Sequence, residues 1–330
     1  MSIWLFSIAA LIVLMVVVGG ITRLTESGLS ITEWKPISGV IPPLTDAAWR
    51  AEFAHYKRIP EYTQINRGMT LAGFKHIFFW EFTHRLLGRL IGIAFALPLL
   101  WFALRRQVPP RYGWRLVALL ALGGLQGAIG WWMVSSGLAV RTDVSHVRLA
   151  VHLITALVLL AGMVWTALDL RSLAESRLAA PATLKPLAAI ALALLFSQIM
   201  FGAFTAGLNA GFAFSSWPLM GDSLFPQGVP MVTPAWRNAV DNPVVVQFIH
   251  RWFAFVAAAG LVTLALKAIR TGGAPAGRVL IALVALQIVL GISTLLSGVE
   301  IGIAVVHQAN AALTLIAATF AAHAIGRARA

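Results

Sequence analysis

Apolar residues come in blocks of about twenty, separated by polar segments. Eight such blocks fall at about 2–20, 77–104, 115–135, 149–169, 187–207, 244–269, 279–298 and 303–325. Each is long enough to cross a hydrocarbon core of roughly 30 Å as an α-helix. The opening block, Ser2 to Gly20, lacks a basic n-region and runs straight into a patterned loop. It therefore reads as a retained first helix and not a cleaved leader. The segments between blocks alternate in character. Those around 105–115, 170–186 and 267–278, with the tail, are short and basic: Arg105, Arg106, Arg111, Arg115, Arg171, Arg177, Lys185, Lys267, Arg270, Arg278, Arg327 and Arg329. The turn between spans seven and eight carries only Glu300, and 208–243 has one basic residue, Arg237. Short basic loops stay on the cytoplasmic side, which places both termini there. The long 21–76 loop mixes both signs of charge and counts little under that rule.

The two halves repeat each other. GGITRLTESGLSITEW (19–34) and GAFTAGLNAGFAFSSW (202–217) share Gly, Thr, Gly and Trp at a constant offset of 183. LQGAIGWWMVSSG (125–137) and LQIVLGISTLLSG (286–298) share Leu, Gln, Gly, Ser and Gly at an offset of 161. FTHR (82–85) matches FIHR (248–251), and AVHLITAL (150–157) matches VVHQANAAL (305–313) more loosely. Four helices per half is an even number, so the repeats run in the same direction about a pseudo-twofold axis along the membrane normal. The expected architecture is all-α and integral to the membrane. Two four-helix bundles occupy 1–170 and 187–330, joined by a cytoplasmic linker at 171–186 and topped by an ordered outer loop at 21–76.

Composition narrows the chemistry. Hydrophobic residues make up 59% and charged residues 11%, against about 25% charged in a soluble domain. The net charge of +13 does not mark a nucleic-acid binder, because the basic residues sit in short interhelical segments. With no cysteine, disulfides, thiolate nucleophiles, iron–sulfur clusters and thiolate-ligated haem are excluded. Histidine remains as the strong ligand for a metal or haem iron.

Four of the eight histidines lie inside spans: His84, His152, His250 and His307, on spans two, four, six and eight. These spans all run from outside to inside, so the four rings share a depth in the outer leaflet. Helices two and four of an up-and-down bundle face each other across its core. His84 with His152, and His250 with His307, can then grip one flat macrocycle from both faces. A lone buried histidine would read as an interhelical hydrogen bond, but an ionisable group within a span is a functional site by default. The residues four positions on, Gly88, Ala156, Ala254 and Ala311, are small. His55, His76, His146 and His323 are expected at loops or span ends, facing solvent or the interface.

Arg85 and Arg251 directly follow two of these histidines, and Arg89 lies one turn further. Guanidinium can hold a haem propionate bidentately or snorkel to the interface. Glu81 precedes His84 by three residues and shares its helical face. It reads either as an acid beside a reacting ring or as a salt bridge to Arg85. In the first outer loop, Thr45 or Asp46 can cap a short helix at 45–58 whose Trp49 and Phe53 form a stripe suited to the membrane surface. Such loops can cover the outer-leaflet sites as a lid.

Long stretches resemble the haem A synthase family: IPEYTQINRGMTLAGFKHIFFWEFTHRLLGRLIG (59–92), the 19–43 segment, WPLMGDSLFP (217–226), HR at 250–251 and HQ at 307–308. The resemblance spans essentially the whole chain. It implies oxidation of a methyl group of haem O to a formyl group by successive hydroxylations, in a bacterial inner membrane. It implies haem b as resident cofactor on His250 and His307, with Arg251 at a propionate. Haem O is the implied substrate between His84 and His152, with Arg85 and Arg89 beside it, and Glu81 is the implied catalytic acid. Implied partners are haem O synthase, cytochrome oxidase assembly factors, an unidentified electron donor and membrane lipid; a homo-oligomer stays open. Thiol steps proposed for cysteine-bearing members cannot operate here.

The residues alone also fit a dihaem b-type electron-transfer cytochrome, a copper or zinc site on the four histidines, or a transporter with parallel repeats. The transporter would need polar residues at mid-membrane, whereas these sit in the outer leaflet. The cytochrome leaves Glu81 unexplained, since the second half has Gln247 there. The orientation has a direct test: a reporter active only outside the cytoplasm, fused after Arg329, should be silent. Strong activity would reverse the topology.

Overall fold

The computed structural model describes residues 1–176 and 180–327, so Arg177 and Arg329 of the basic segments lie outside it. Among the described residues all regular structure is helical, apart from one isolated bridge between Met220 and Ser223. The helices are α1 (Ser2–Leu24), α2 (Asp46–Tyr56), α3 (Leu71–Leu104), α4 (Gly113–Ser135), α5 (His146–Glu175), α6 (Pro186–Gly207), α7 (Asn238–Asp241), α8 (Pro243–Arg270), α9 (Ala274–Leu296) and α10 (Ile301–Arg327). All but α2 and α7 are long and apolar enough to span a membrane, giving the eight expected spans.

The ends of the spans follow local chemistry that hydropathy does not register. Helix α3 begins at Leu71, not near 77, because Thr70 accepts a hydrogen bond from the Gly73 N–H at 3.2 Å and caps the helix. With 34 residues it is about 50 Å long, so its first turns stand outside the hydrocarbon. Helix α8 starts with Pro243 in its first turn, behind Asn242, whose side chain accepts from the N–H groups of Val244 and Val245. The lone charge of the α9–α10 turn, Glu300, accepts from Gly302 N–H at 3.0 Å and Ile303 N–H at 2.8 Å. These bonds hold its carboxyl below the usual carboxylate range.

The helices form two compact units. One comprises Met1–Val13 with Leu153–Ala330; the other comprises Leu14–His152. In the first, α6 packs on α8, α8 on α9, and α9 on α10, while α10 closes back on α8 and α6. That is a four-helix bundle. His323, expected near the interface, is instead buried, with Nε2 2.9 Å from Asp169 Oδ1 and its ring edge-on to Trp165. Asp169 also accepts from the Ala182 N–H, so one carboxylate ties α5, the linker and α10 together. His146 is buried as well. The partner that draws His323 inward lies far off in sequence, so a position near a span end misplaces it.

In the second unit α2 packs on α3, and α3 on α4. Thr45 caps α2 by accepting from the Ala48 N–H at 3.2 Å. The α2 stripe packs on protein: Phe53 stacks on Phe74 at 4.9 Å, and Trp49 meets Phe78 edge-on at 5.0 Å. Tyr56 is fully buried in the same cluster, and its hydroxyl accepts from Asn66 at 2.8 Å. Aromatic pairs of this kind contribute about 0.5–1.5 kcal/mol each beyond their buried area. The loop at 21–76 is thus ordered by its own core.

Glu61 sits beneath this loop with 4% of its surface exposed, and its Oε2 has no hydrogen-bond partner among the described residues. Burial first, then the carboxylates of Glu81, Glu26 and Asp143, push its carboxyl up to about 8, against an opposing pull from Arg23. An acid whose folded pKa is raised costs stability once the unfolded chain ionises. That cost is absent below the unfolded value of 4.5, grows as pH rises, and is complete above about 8. Glu61→Gln should therefore unfold at a higher temperature than wild type in detergent, by a margin that widens from pH 5 to pH 8. Parallel melting curves across that range would show the carboxyl to be compensated.

Candidate functional site

The four span histidines come together in the pairs the repeat suggests. His84 on α3 and His152 on α5 are close enough to interact electrostatically, as are His250 on α8 and His307 on α10. Each of the four residues is half-buried on a helix packed within the protein, as side chains bordering an internal space are. Among the described residues no three His, Asp or Glu side chains gather as a metal cage would require. Two imidazoles facing one space instead suit a flat ring ligated on both sides.

Each imidazole is seated against a glycine of a neighbouring helix. A Cβ built on Gly130 would lie 3.2 Å from His152 Cε1; on Gly202, 3.0 Å from His250 Cε1; on Gly291, 3.0 Å from His307 Cε1. On Gly19 it would lie 3.1 Å from His84 Nε2. Only glycine leaves room for the ring so close to the neighbouring backbone. Three of the seats carry a glutamine one turn before the glycine. Gln126 Nε2 donates to the backbone oxygen of His152 at 3.3 Å, Gln198 to that of His250 at 3.0 Å, and Gln287 to that of His307 at 3.2 Å. Gln198 Nε2 is also 3.0 Å from His250 Nδ1, and Gln287 Nε2 is 3.3 Å from His307 Nδ1 and 3.5 Å from its Nε2. Asn310 fixes Gln287 by donating to Oε1 at 2.6 Å. Interhelical hydrogen bonds of this kind contribute about 0.6–2 kcal/mol in a membrane. In the sequence Gln126, Gln287 and the glycines showed only as marks of the repeat, and Gln198 did not show at all. The signal that would have found them is Gln-x-x-x-Gly at 126–130, 198–202 and 287–291.

The charged residues beside and one turn from the histidines bind the loops at 21–76 and 208–243. Glu81, 3% exposed, is surrounded by donors. Its Oε2 accepts from Ser30 Oγ and the Ile31 N–H, both at 2.7 Å, and its Oε1 accepts from Arg85 Nε at 3.1 Å and Nη2 at 2.6 Å. Arg85 also donates to the backbone oxygens of Ile31 and Glu33. The second half repeats this, with the loop residues at the offset of 183 and the helix residues at 166. Arg251 donates to the oxygens of Phe214 and Ser216, the counterparts of Ile31 and Glu33. Gln247, in the place of Glu81, donates to the Phe214 oxygen at 3.0 Å and accepts from Arg251 at 3.3 Å. Arg89 donates to the oxygens of Pro36 and Lys35. All three arginines expected at propionates are thus engaged with loop backbone. Arg89 Nη1, Arg251 Nε and the adjacent Trp252 Nε1 remain buried donors without partners among the described residues.

Known proteins resemble this chain along nearly its whole length. A family model described as cytochrome oxidase assembly protein matches residues 2–319. The heme A synthase of Sphingopyxis alaskensis is 54% identical over 324 residues, covering 98% of this chain and 91% of the relative. That of Rhizorhabdus wittichii is 53% identical, covering 98% and 93%. That of Erythrobacter litoralis is 51% identical over 330 residues, covering 99% and 97%.

The glycine seats are testable directly. Gly202→Ala or Gly291→Ala would force the facing ring to shift by a few tenths of an ångström. Overpacking costs about 1–3 kcal/mol, or about 5- to 150-fold in affinity for whatever the rings hold. Gly127→Ala, which meets nothing within 4 Å, is the control. Haem content by Soret absorbance should fall in the first two variants and hold in the third; equal content in all three would remove the seats from the site.

Proposed function

Because the chain belongs to the COX15-CtaA family of cytochrome oxidase assembly proteins, we propose that it works as a haem A synthase. As such it is a multi-pass membrane oxidoreductase that oxidises a methyl group of haem O to a formyl group by successive hydroxylations. The observation that carries this reading is the pair of imidazole pairs, each ring on its glycine seat. In this proposal His250 and His307, in the half at 187–330, hold haem b, which when bound supplies one-electron redox chemistry. His84 and His152, in the half at 1–170, frame haem O. The unpartnered donors on Arg89, Arg251 and Trp252 are what propionates would take up.

The chain's own residues hold the substrate half in shape. The Glu81–Arg85 pair fixes residues 30–33 over α3, one turn from His84. The aromatic core around Tyr56 and Phe74 keeps water out from the outer side. With four donors around it, Glu81 acts here as a positioning residue for the helix face that meets the substrate. The proposal includes a bacterial inner membrane location with both termini cytoplasmic. It also includes supply by haem O synthase, delivery to oxidase assembly factors, an electron donor of unidentified kind, and room for a homo-oligomer.

The rival, a dihaem electron-transfer cytochrome, accounts for four ligands equally well. It does not account for the one acid among two matched latches. Glu81→Gln separates the two. The variant should insert and keep a six-coordinate haem b spectrum, while haem A falls by about 10²-fold or more and haem O or a hydroxylated haem accumulates on pigment chromatography. Near-normal haem A would make Glu81 dispensable, and absence of haem A from the wild type as well would favour the cytochrome.

A further inference from the structure

Three of the four imidazole seats share one design, and the fourth departs from it in two ways. At His152, His250 and His307 a glutamine one turn before the glycine holds the backbone oxygen of the histidine. On α1 the residue one turn before Gly19 is Met15, which has no hydrogen to donate. It occupies the equivalent place: its Cε lies 3.4 Å from a Cβ built on Gly88, the residue on α3 whose N–H faces the His84 carbonyl one turn back. The ring itself is also set differently. The other three turn Cε1 toward their glycine, whereas His84 turns Nε2, with Cδ2 next at 3.4 Å. The rings of His84 and His152 both lack a hydrogen bond among the described residues, and His152 Nδ1 is buried without a partner, so the main-chain bond from Gln126 is what distinguishes these two seats.

Resting on the ligand assignment above, we propose that His84 is the displaceable ligand of the substrate site, and that Met15 keeps it so. Gln126, Gln198 and Gln287 are positioning residues that make the other three ligands permanent. A hydrogen bond from a neighbouring helix fixes where an imidazole sits and how readily it leaves a metal; losing such an outer contact typically costs 10- to 100-fold in affinity. The half whose two ligands are both clamped keeps its ring. The half with one clamped and one unclamped ligand can accept a ring, open one face of it, and release it. A substrate must enter and leave, and a resident cofactor must not.

Carbon monoxide reads this without any measurement of turnover, because it binds ferrous haem only where a ligand leaves. The purified protein, with haem b in place, is loaded with haem O, reduced with dithionite and mixed with carbon monoxide. Wild type should show one reactive haem, of the O type. Met15→Gln should slow that reaction about 10- to 100-fold, while Met15→Leu, which changes packing but adds no amide, should keep the wild-type rate. Gln198→Met should make the haem b reactive as well, and it carries the test in the opposite direction if Met15→Gln does not accumulate. A wild type with no reactive haem, a Met15→Gln as fast as wild type, or a Met15→Leu slowed equally would each overturn the proposal. Six-coordinate haem b persisting in His250→Ala would instead overturn the ligand assignment beneath it.

Discussion

In a bilayer, helices are not drawn together by exclusion of water, because lipid tails are as apolar as leucine. A side chain that must be held to a fraction of an ångström therefore needs its neighbouring helix held by other means. Here a glycine lets the backbone of one helix come within contact distance of an imidazole on the next. A glutamine one turn away hydrogen-bonds the main chain beside that imidazole. The glycine alone would leave the ring free to slide. The glutamine alone would be kept at a distance by a Cβ. Together they fix the ring from outside its own helix, and both the spacing of the pairs and the space between them depend on this.

The outer loops follow from a second requirement. Arg85 and Arg251 directly follow His84 and His250 within the spans, where an unpaired guanidinium is costly. Helical carbonyls already have partners, so acceptors must come from irregular backbone, and 30–36 and 214–219 supply them. The arginines thereby order the loops that cover them. Truncating one would leave buried carbonyls as well as a missing charge, a loss of about 1–3 kcal/mol per orphaned group.

Spans, repeat and the paired histidines were legible because each leaves a periodic or paired mark in the chain. Hydropathy finds a helix such as α6 to within a residue, since its apolar stretch and its hydrogen-bonded length coincide. It starts α3 late because the capped turns before Ile77 include Lys75 and His76, which count as polar although they are helical. His323 escapes for a different reason: its partner Asp169 is 154 positions away, and no local pattern encodes that distance. The arginines were legible as residues that need acceptors but not as to which acceptors, because a backbone oxygen has no identity in a sequence. Gln198 was the hardest to see, since its counterpart at the offset of 183 is Met15 and the repeat breaks at the position that distinguishes the two seats.

The offset of 166, which relates α3 to α8, sharpens the contrast between the halves. Glu81 and Gln247 occupy one position in two copies of a latch, and both touch the same arginine and the same loop residue. The direction of the bond is reversed. The carboxylate accepts from the Ile31 N–H, whereas the amide donates to the Phe214 oxygen. Turning one latch into the other therefore takes more than one side chain, because the loop must present its N–H in one half and its carbonyl in the other. A charge at Glu81 is matched by Arg85 within one latch, so the first half carries a neutral ion pair where the second carries Arg251 on neutral acceptors. The unmatched guanidinium of the first half is Arg89, one turn further along α3, on the oxygens of Lys35 and Pro36. The halves therefore differ in where the bare cation stands, not in whether they have one.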